Sequence, residues 1–311
     1  SLVGWGGGSF AFGRSLFRHE PLIPPTRAVR SAPMSTIGAS LRGNPAIQAA
    51  FDTIVAEVES ATASITDVRP PNPELKVAYD ELVKTAGDSR GRALLYPYLG
   101  SGAGRGALVE LADGSVKWDL VTGIGVHFLG HSHPEVLKAQ LRAGLEDTTK
   151  HGNLQSGTLP YEFGKKLVAL AQRKSNLKHA FLTTSGAMAN ESALKVCMQK
   201  NAPADRVIAF KHCFMGRSLT MTSIGDSAGA RMGLPINQAV DYMPFYNEVG
   251  AEKLGGTTKF IDWACWQLQS IIDRYPKRHA CFVMELCRGR VASTCRSATV
   301  SASCVSSARP M

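Results

Sequence analysis

The sequence predicts an α/β fold built on a mostly parallel sheet covered by helices. Short apolar runs at 180–182, 207–210 and 281–285 have the length and composition of buried strands. Helical patterns fall between them, which is the alternation that builds such a sheet. At 311 residues and 44% hydrophobic content, the chain is long enough to bury a sizeable core.

Taken in order, Asn44 and Pro45 form an N-cap and first-turn pair that opens a helix. Ile47, Phe51, Ile54, Val55 and Val58 make its apolar stripe, read as core or dimer contact. Pro70, Pro71, Asn72 and Pro73 mark a linker. Residues 108–111 and 116–118 flank Asp113-Gly114, which predicts a hairpin around a tight turn. The glycine-rich run 100–106 resembles a nucleotide loop, but it opens a hairpin rather than a helix, so a flexible turn is expected. His131 and His133 have the spacing of a metal pair with no third ligand in sight. Pro134 makes them the start of a helix instead, and no metal is expected. A helix near 161–171 leads to the strand at 180–182. After it comes a helix over 192–198 with Ala193, Val196 and Cys197 at core spacing. A helix near 260–274 separates the last two strands, and Trp263 and Trp266 read as packing residues there.

The stretch Thr183-Thr184-Ser185-Gly186-Ala187-Met188-Ala189-Asn190-Glu191 lies at a strand-to-helix turn. A Ser-Gly-small junction exposes backbone N–H groups at the positive end of a helix dipole, which suits a phosphate. Alone, the turn reads better as an ordinary helix cap, since Ser185 is a good N-cap residue.

The order of the surrounding segments changes that balance. Leu129-Gly130-His131-Ser132-His133-Pro134-Glu135-Val136 comes before the turn. Lys211-His212-Cys213-Phe214-Met215-Gly216-Arg217-Ser218 follows it, after a strand, and Cys281-Phe282-Val283-Met284-Glu285 comes last. From about Tyr96 to Glu285 the series resembles the class III, ornithine aminotransferase-like family of pyridoxal-phosphate enzymes. The resemblance implies a fold-type-I transferase with part of a smaller α+β domain. It assigns the cofactor phosphate to Ser185, Gly186 and Ala187, ring stacking to Phe214, and a place near the cofactor to Glu285. It also implies transfer of an amino group, typically an ω-amino group, from an amino-acid donor to a 2-oxo acid, by a homodimer.

The pattern is not followed throughout. Met188 stands where the family usually has Glu, and Met215 where it commonly has His. After Glu285 the family continues Val-Gln-Gly-Glu-Gly-Gly, with an aspartate and the Schiff-base lysine further on. Here the run is Leu286-Cys287-Arg288-Gly289-Arg290-Val291-Ala292-Ser293, and Arg290 stands where the second glutamate is expected. Deleting one base from the valine codon of Glu-Leu-Val-Gln-Gly-Glu-Gly-Gly yields Glu-Leu-Cys-Arg-Gly-Arg-Val-Ala-Ser, so a frame slip after Glu285 is expected. Residues 288–311 contain no Asp, Glu, Lys, Leu, Ile or Phe, a composition that builds no periodic element. On this reading the chain is truncated, its C-terminal part is missing, and it holds no catalytic lysine. It would be inactive, whereas its full-length parent would be a working aminotransferase. The alternative is a non-catalytic homologue that binds pyridoxal phosphate or dimerises.

The domain expectation follows: 1–33 a poorly assigned leader, 34–140 an N-terminal helix and small-domain portion, 141–287 an incomplete cofactor-binding domain, and 288–311 an aberrant tail. The two ends explain the charge. Arg14, Arg18, Arg27 and Arg30 against Glu20 give +3, and Arg288, Arg290, Arg296 and Arg309 give +4, leaving +3 of the net +10 between them. That remainder shows no clustered basic face, so nucleic acid is not an expected partner. No apolar run has the length of a membrane span. Seven cysteines without C-x-x-C spacing argue against a disulfide framework and for a reducing compartment. The location expected is cytoplasmic, or mitochondrial if residues 1–33 are a transit peptide.

Overall fold

The computed structural model describes residues 2–3, 36–145 and 157–285, in two compact units that divide between Gly157 and Thr158. The expectations for residues 1–33 and 288–311 fall, apart from residues 2–3, outside what is described. Those two residues form a short strand, β1 (Leu2–Val3), which pairs antiparallel with a strand of the second unit.

The first unit begins with α1 (Ile37–Gly43) and α2 (Pro45–Ala61). As the sequence predicts, Asn44 caps α2 with Oδ1 while Pro45 fills the first turn. Of the predicted stripe only Phe51 and Val55 are fully buried, and Ile54 is exposed. After α3 (Lys76–Ser89), the three strands β2 (Gly100–Arg105), β3 (Leu108–Leu111) and β4 (Val116–Trp118) form an antiparallel meander. The glycine-rich run is therefore a strand. A Cβ on Gly104 would meet the Leu108 carbonyl oxygen and the His131 Cβ at 2.8 Å, so the backbone there passes too close for any side chain. Nor is 70–73 a free linker: Arg69 bridges to Val116, and the Asn72 amide donates to the Asp113 carbonyl at 2.9 Å. A single turn, α4 (Thr122–Gly125), has positive φ at all four residues. Then α5 (Pro134–Ala143) starts at Pro134 with His133 as its cap.

In the second unit, α6 (Leu159–Ala171) and α7 (Gly186–Lys200) precede β5 (Arg206–Phe210). The short helices α8 (Leu219–Ile224) and α9 (Ala228–Arg231) lead to β6 (Ala239–Met243). Helices α10 (Glu248–Lys253) and α11 (Thr257–Arg274) then lead to β7 (His279–Val283). The sheet order is β1-β7-β5-β6, with β5 parallel to both β6 and β7. Because successive side chains leave a strand on opposite faces, β5 feeds two cores. Ile208 and Phe210 pack with Phe260, Ala264 and Leu268 of α11, and Val207 and Ala209 pack with Leu194 and Cys197 of α7 and Met221 and Ile224 of α8. A parallel sheet covered on both faces is the expected architecture, and each large side chain so buried contributes about 1.5–3 kcal/mol.

Two details differ from the sequence reading. Residues 180–182 form no strand, and Phe181 is 70% exposed. In α7 the buried positions are Leu194 and Cys197, while Val196 faces solvent. The strand β6, with Asp241 at its centre, has no sequence counterpart in the predicted order.

Candidate functional site

The site begins at the N-terminus of α7. Ser185 is fully extended (φ −163°, ψ 163°), and its Oγ accepts the Met188 amide at 3.2 Å. This is the predicted cap. The Gly186 and Ala187 amides come too early to have an acceptor within the helix. Among the described residues nothing else accepts from them. The space before them is open, with no atom within 4 Å of where a Cβ on Gly186 would sit. Two unsatisfied amides on the positive end of a 15-residue helix bind an anion well.

The second component is the loop after β5. The Lys211 amide donates to the Met243 carbonyl at 2.8 Å, and the His212 amide donates to Asp226 Oδ2 at 2.7 Å. Phe214 follows with its side chain 42% exposed, and the guanidinium of Arg217 sits 5.9 Å from the ring centroid. Met215, in the family's histidine position, turns inward and joins the core beside α7 and α8. The structure thus uses it as packing. Met188, in the family's glutamate position, stays half exposed.

Glu285 lies two residues beyond β7. The Phe214 amide donates to its Oε2 at 3.3 Å. Since β5 and β7 run parallel, the segments leaving their C-terminal ends emerge side by side, the usual place for a ligand in such a sheet. Phe214 and Glu285 therefore meet, and Ser185, Gly186 and Ala187 stand beside the same loop through its contact with α7.

That contact uses residues the sequence reading passed over. Asn190 Nδ2 donates to the Met215 carbonyl at 2.8 Å, and Ser218 Oγ donates to Glu191 Oε1 at 2.6 Å. Gly216 (φ 131°) presses against Ala187 so closely that a Cβ on it would lie 2.6 Å from the Ala187 Cβ. The available signal was Ser218 itself, which caps α8 by accepting the Met221 amide at 3.2 Å. Below the loop, burial pushes the Cys281 thiol, next to Cys197, up to about 12, and burial likewise pushes the Tyr242 hydroxyl up to about 12. Neither carries protons near neutral pH. Among the described residues no group of three or more His, Cys, Asp or Glu is placed to hold a metal. His131 instead pairs with Asp119 at 2.8 Å.

The family model for class-III aminotransferases matches residues 97–299, about two thirds of the chain. The chain belongs to the class-III aminotransferases. It is 32% identical over 162 residues to the acetylornithine aminotransferase of Methanocaldococcus jannaschii, covering 50% of this chain and 39% of that protein. It is also 32% identical over 149 residues to the succinylornithine transaminase of Photorhabdus laumondii, covering 46% and 36% respectively. Among solved structures, it superposes on a taurine:2-oxoglutarate aminotransferase from Bifidobacterium kashiwanohense, in complex with PLP and glutamate. The TM-score is 0.57 at 15% identity, over 67% of this chain and 48% of that one. An omega-transferase from Vibrio fluvialis JS17 gives 0.57 at 16% identity, over 66% and 50%. At these identities the solved structures establish the fold, which is that of fold-type-I transaminases. The chain spans less than half the length of the relatives it matches.

Pyridoxal phosphate is the cofactor of this family, and the residues present fit it. The open Gly186–Ala187 amides suit its phosphate, and the half-exposed Phe214 ring has a face free to stack on its pyridine.

Proposed function

We propose that this chain carries the phosphate-binding and ring-stacking half of an aminotransferase that moves an amino group, typically an ω-amino group, to a 2-oxo acid. The observation that supports it is the α7 N-terminus. Two unpartnered amides there face open space, beside a loop whose aromatic ring and glutamate-bound amide are already held in place.

When bound, pyridoxal phosphate supplies the electron sink for amino-group transfer. The chain's own residues do the rest of what this half requires. Gly186 and Ala187 donate to the phosphate, Ser185 keeps the helix end in the right shape, and Phe214 covers one face of the ring. Glu285 fixes the Phe214 backbone and places a carboxylate at the rim. No lysine follows Glu285 in these 311 residues, so on this reading the chain holds the cofactor without a covalent anchor and does not turn over. The intact aminotransferase acts as a homodimer. We place it in the cytoplasm, a reading supported by four free cysteines, three of them buried.

A single substitution tests the phosphate assignment. Gly186 is the first residue of α7, and Ser185 before it is extended, so Gly186→Pro fits the backbone and the open space. It removes one amide donor and leaves the helix. Spectrophotometric titration of the 311-residue chain with pyridoxal phosphate is expected to show reversible binding, weakened about tenfold or more by Gly186→Pro. Equal affinity in the variant would mean the phosphate binds elsewhere.

A further inference from the structure

The ring face of Phe214 and the phosphate amides of α7 have to stand a fixed distance apart if one cofactor is to touch both. Phe214 does little to secure this itself. Its side chain is 42% exposed, so packing does not hold it. Its position is inherited from the 214–218 backbone, and that backbone is fastened to α7 at successive points along one face of the helix. Gly216 rests on Ala187. Asn190 donates to the Met215 carbonyl at 2.8 Å, and Glu191 accepts from Ser218 Oγ at 2.6 Å. Ala187 is itself one of the two phosphate donors. Asn190 and Glu191 lie about one helical turn further on, at three and four residues' separation, where side chains share a face with it.

We propose that Glu191 and Asn190 are positioning residues for the cofactor, setting the gap between the phosphate turn and the stacking ring. This rests on the functional reading above. Neither residue touches the cofactor. Glu191 acts through Ser218, whose hydroxyl donates to the carboxylate while its oxygen accepts the Met221 amide and starts α8. The carboxylate thus orients a hydroxyl that terminates the Phe214 loop. Asn190 acts through the carbonyl of the residue next to Phe214. The ring is held from its own backbone, and from both sides: Glu285 takes the Phe214 amide on the strand side, and α7 takes the following residues on the helix side.

A spacing role has a signature that ordinary structural damage lacks. Pyridoxal phosphate needs both contacts, whereas inorganic phosphate needs only the helix end. Glu191→Ala in the 311-residue chain is therefore expected to lose about tenfold in affinity for pyridoxal phosphate, the loss of one charge-assisted hydrogen bond. Inorganic phosphate, measured by its competition with pyridoxal phosphate and by thermal shift, should bind within about twofold of wild type. Glu191→Gln keeps an acceptor for Ser218 and should recover most of the loss. Asn190→Ala should repeat the selective loss. If both ligands weaken in parallel, the helix end itself has been damaged and the inference fails. It also fails, with the phosphate assignment left standing, if wild type and Glu191→Ala bind pyridoxal phosphate equally while Gly186→Pro weakens it. If the wild-type chain binds neither ligand, the functional reading falls and takes this inference with it.

Discussion

Gly216 and Ala187 touch backbone to helix: a methyl group on Gly216 would lie 2.6 Å from the Ala187 Cβ and 2.9 Å from its Cα. Gly216 also has φ 131°, a conformation that side chains rarely adopt. Two separate costs therefore oppose Gly216→Ala, a clash and a strained backbone. Together they should destabilise the chain by about 1–3 kcal/mol and weaken pyridoxal phosphate binding as the Phe214 loop lifts from α7. Ala187→Gly removes the clash but not the strain, so the double variant should regain only part of the lost stability. A double-mutant cycle on denaturant midpoints reads this coupling directly. Simple additivity would mean that the two residues do not press on one another in solution.

At the other end of the strands, Asp241 gathers the charges of the sheet. Arg206 donates to it through Nε and Nη2, both at 2.8 Å, and His279 Nε2 lies 2.8 Å from Oδ2. Arg206 also stacks on Tyr275 at 3.8 Å. Burial would raise the Asp241 carboxyl, but the donors from Arg206 and His279 outweigh it and hold the group below the usual carboxylate range. A carboxyl depressed on folding contributes stability that is fully present above its unfolded value, about 3.9. That stability is lost as pH falls through the lower folded value. Asp241→Asn should therefore cost about 3 kcal/mol at pH 7, since it leaves Arg206 partly buried and unpaired. The difference from wild type should shrink as pH drops toward 3. Urea midpoints of both proteins across pH 3–7 measure it, and a gap independent of pH would show that Asp241 is not charged in the fold.

Asp241 also shows why part of the fold was hard to read in the sequence. Its strand, 239–243, reads Ala-Val-Asp-Tyr-Met, and a central carboxylate breaks the apolar run that marks a buried strand. The charge is tolerable there only because Arg206 and His279, from two neighbouring strands, supply its partners. That is information from tertiary structure. The strands at 206–210 and 279–283 were legible because every member but the first residue of β5 is buried. Residues 180–182 misled for the converse reason: Phe181 and Leu182 are apolar but exposed. In the site, the Ser185 cap could be read from residue type and position, since capping is local chemistry. The ties made by Asn190, Glu191 and Gly216 span 25 to 29 positions of chain. No local pattern encodes them.

In the first unit, one hydroxyl fastens α3 to the start of the meander. Tyr79 is buried, its OH donates to the Pro97 carbonyl at 2.6 Å, and it accepts the Leu99 amide at 3.1 Å. Tyr79→Phe keeps the ring and its packing but strips a donor and an acceptor from two backbone groups at once. The expected cost is about 1–3 kcal/mol, the range for leaving partly buried polar groups unsatisfied. Because the damage is at one point, it should also be visible locally. Hydrogen exchange at the Leu99 amide should quicken in the variant far more than at the amides within β3, which keep their ladder partners. If Leu99 stayed protected while global stability fell, a water would have taken the hydroxyl's place. The cost would then lie in ordering that water rather than in freeing the strand.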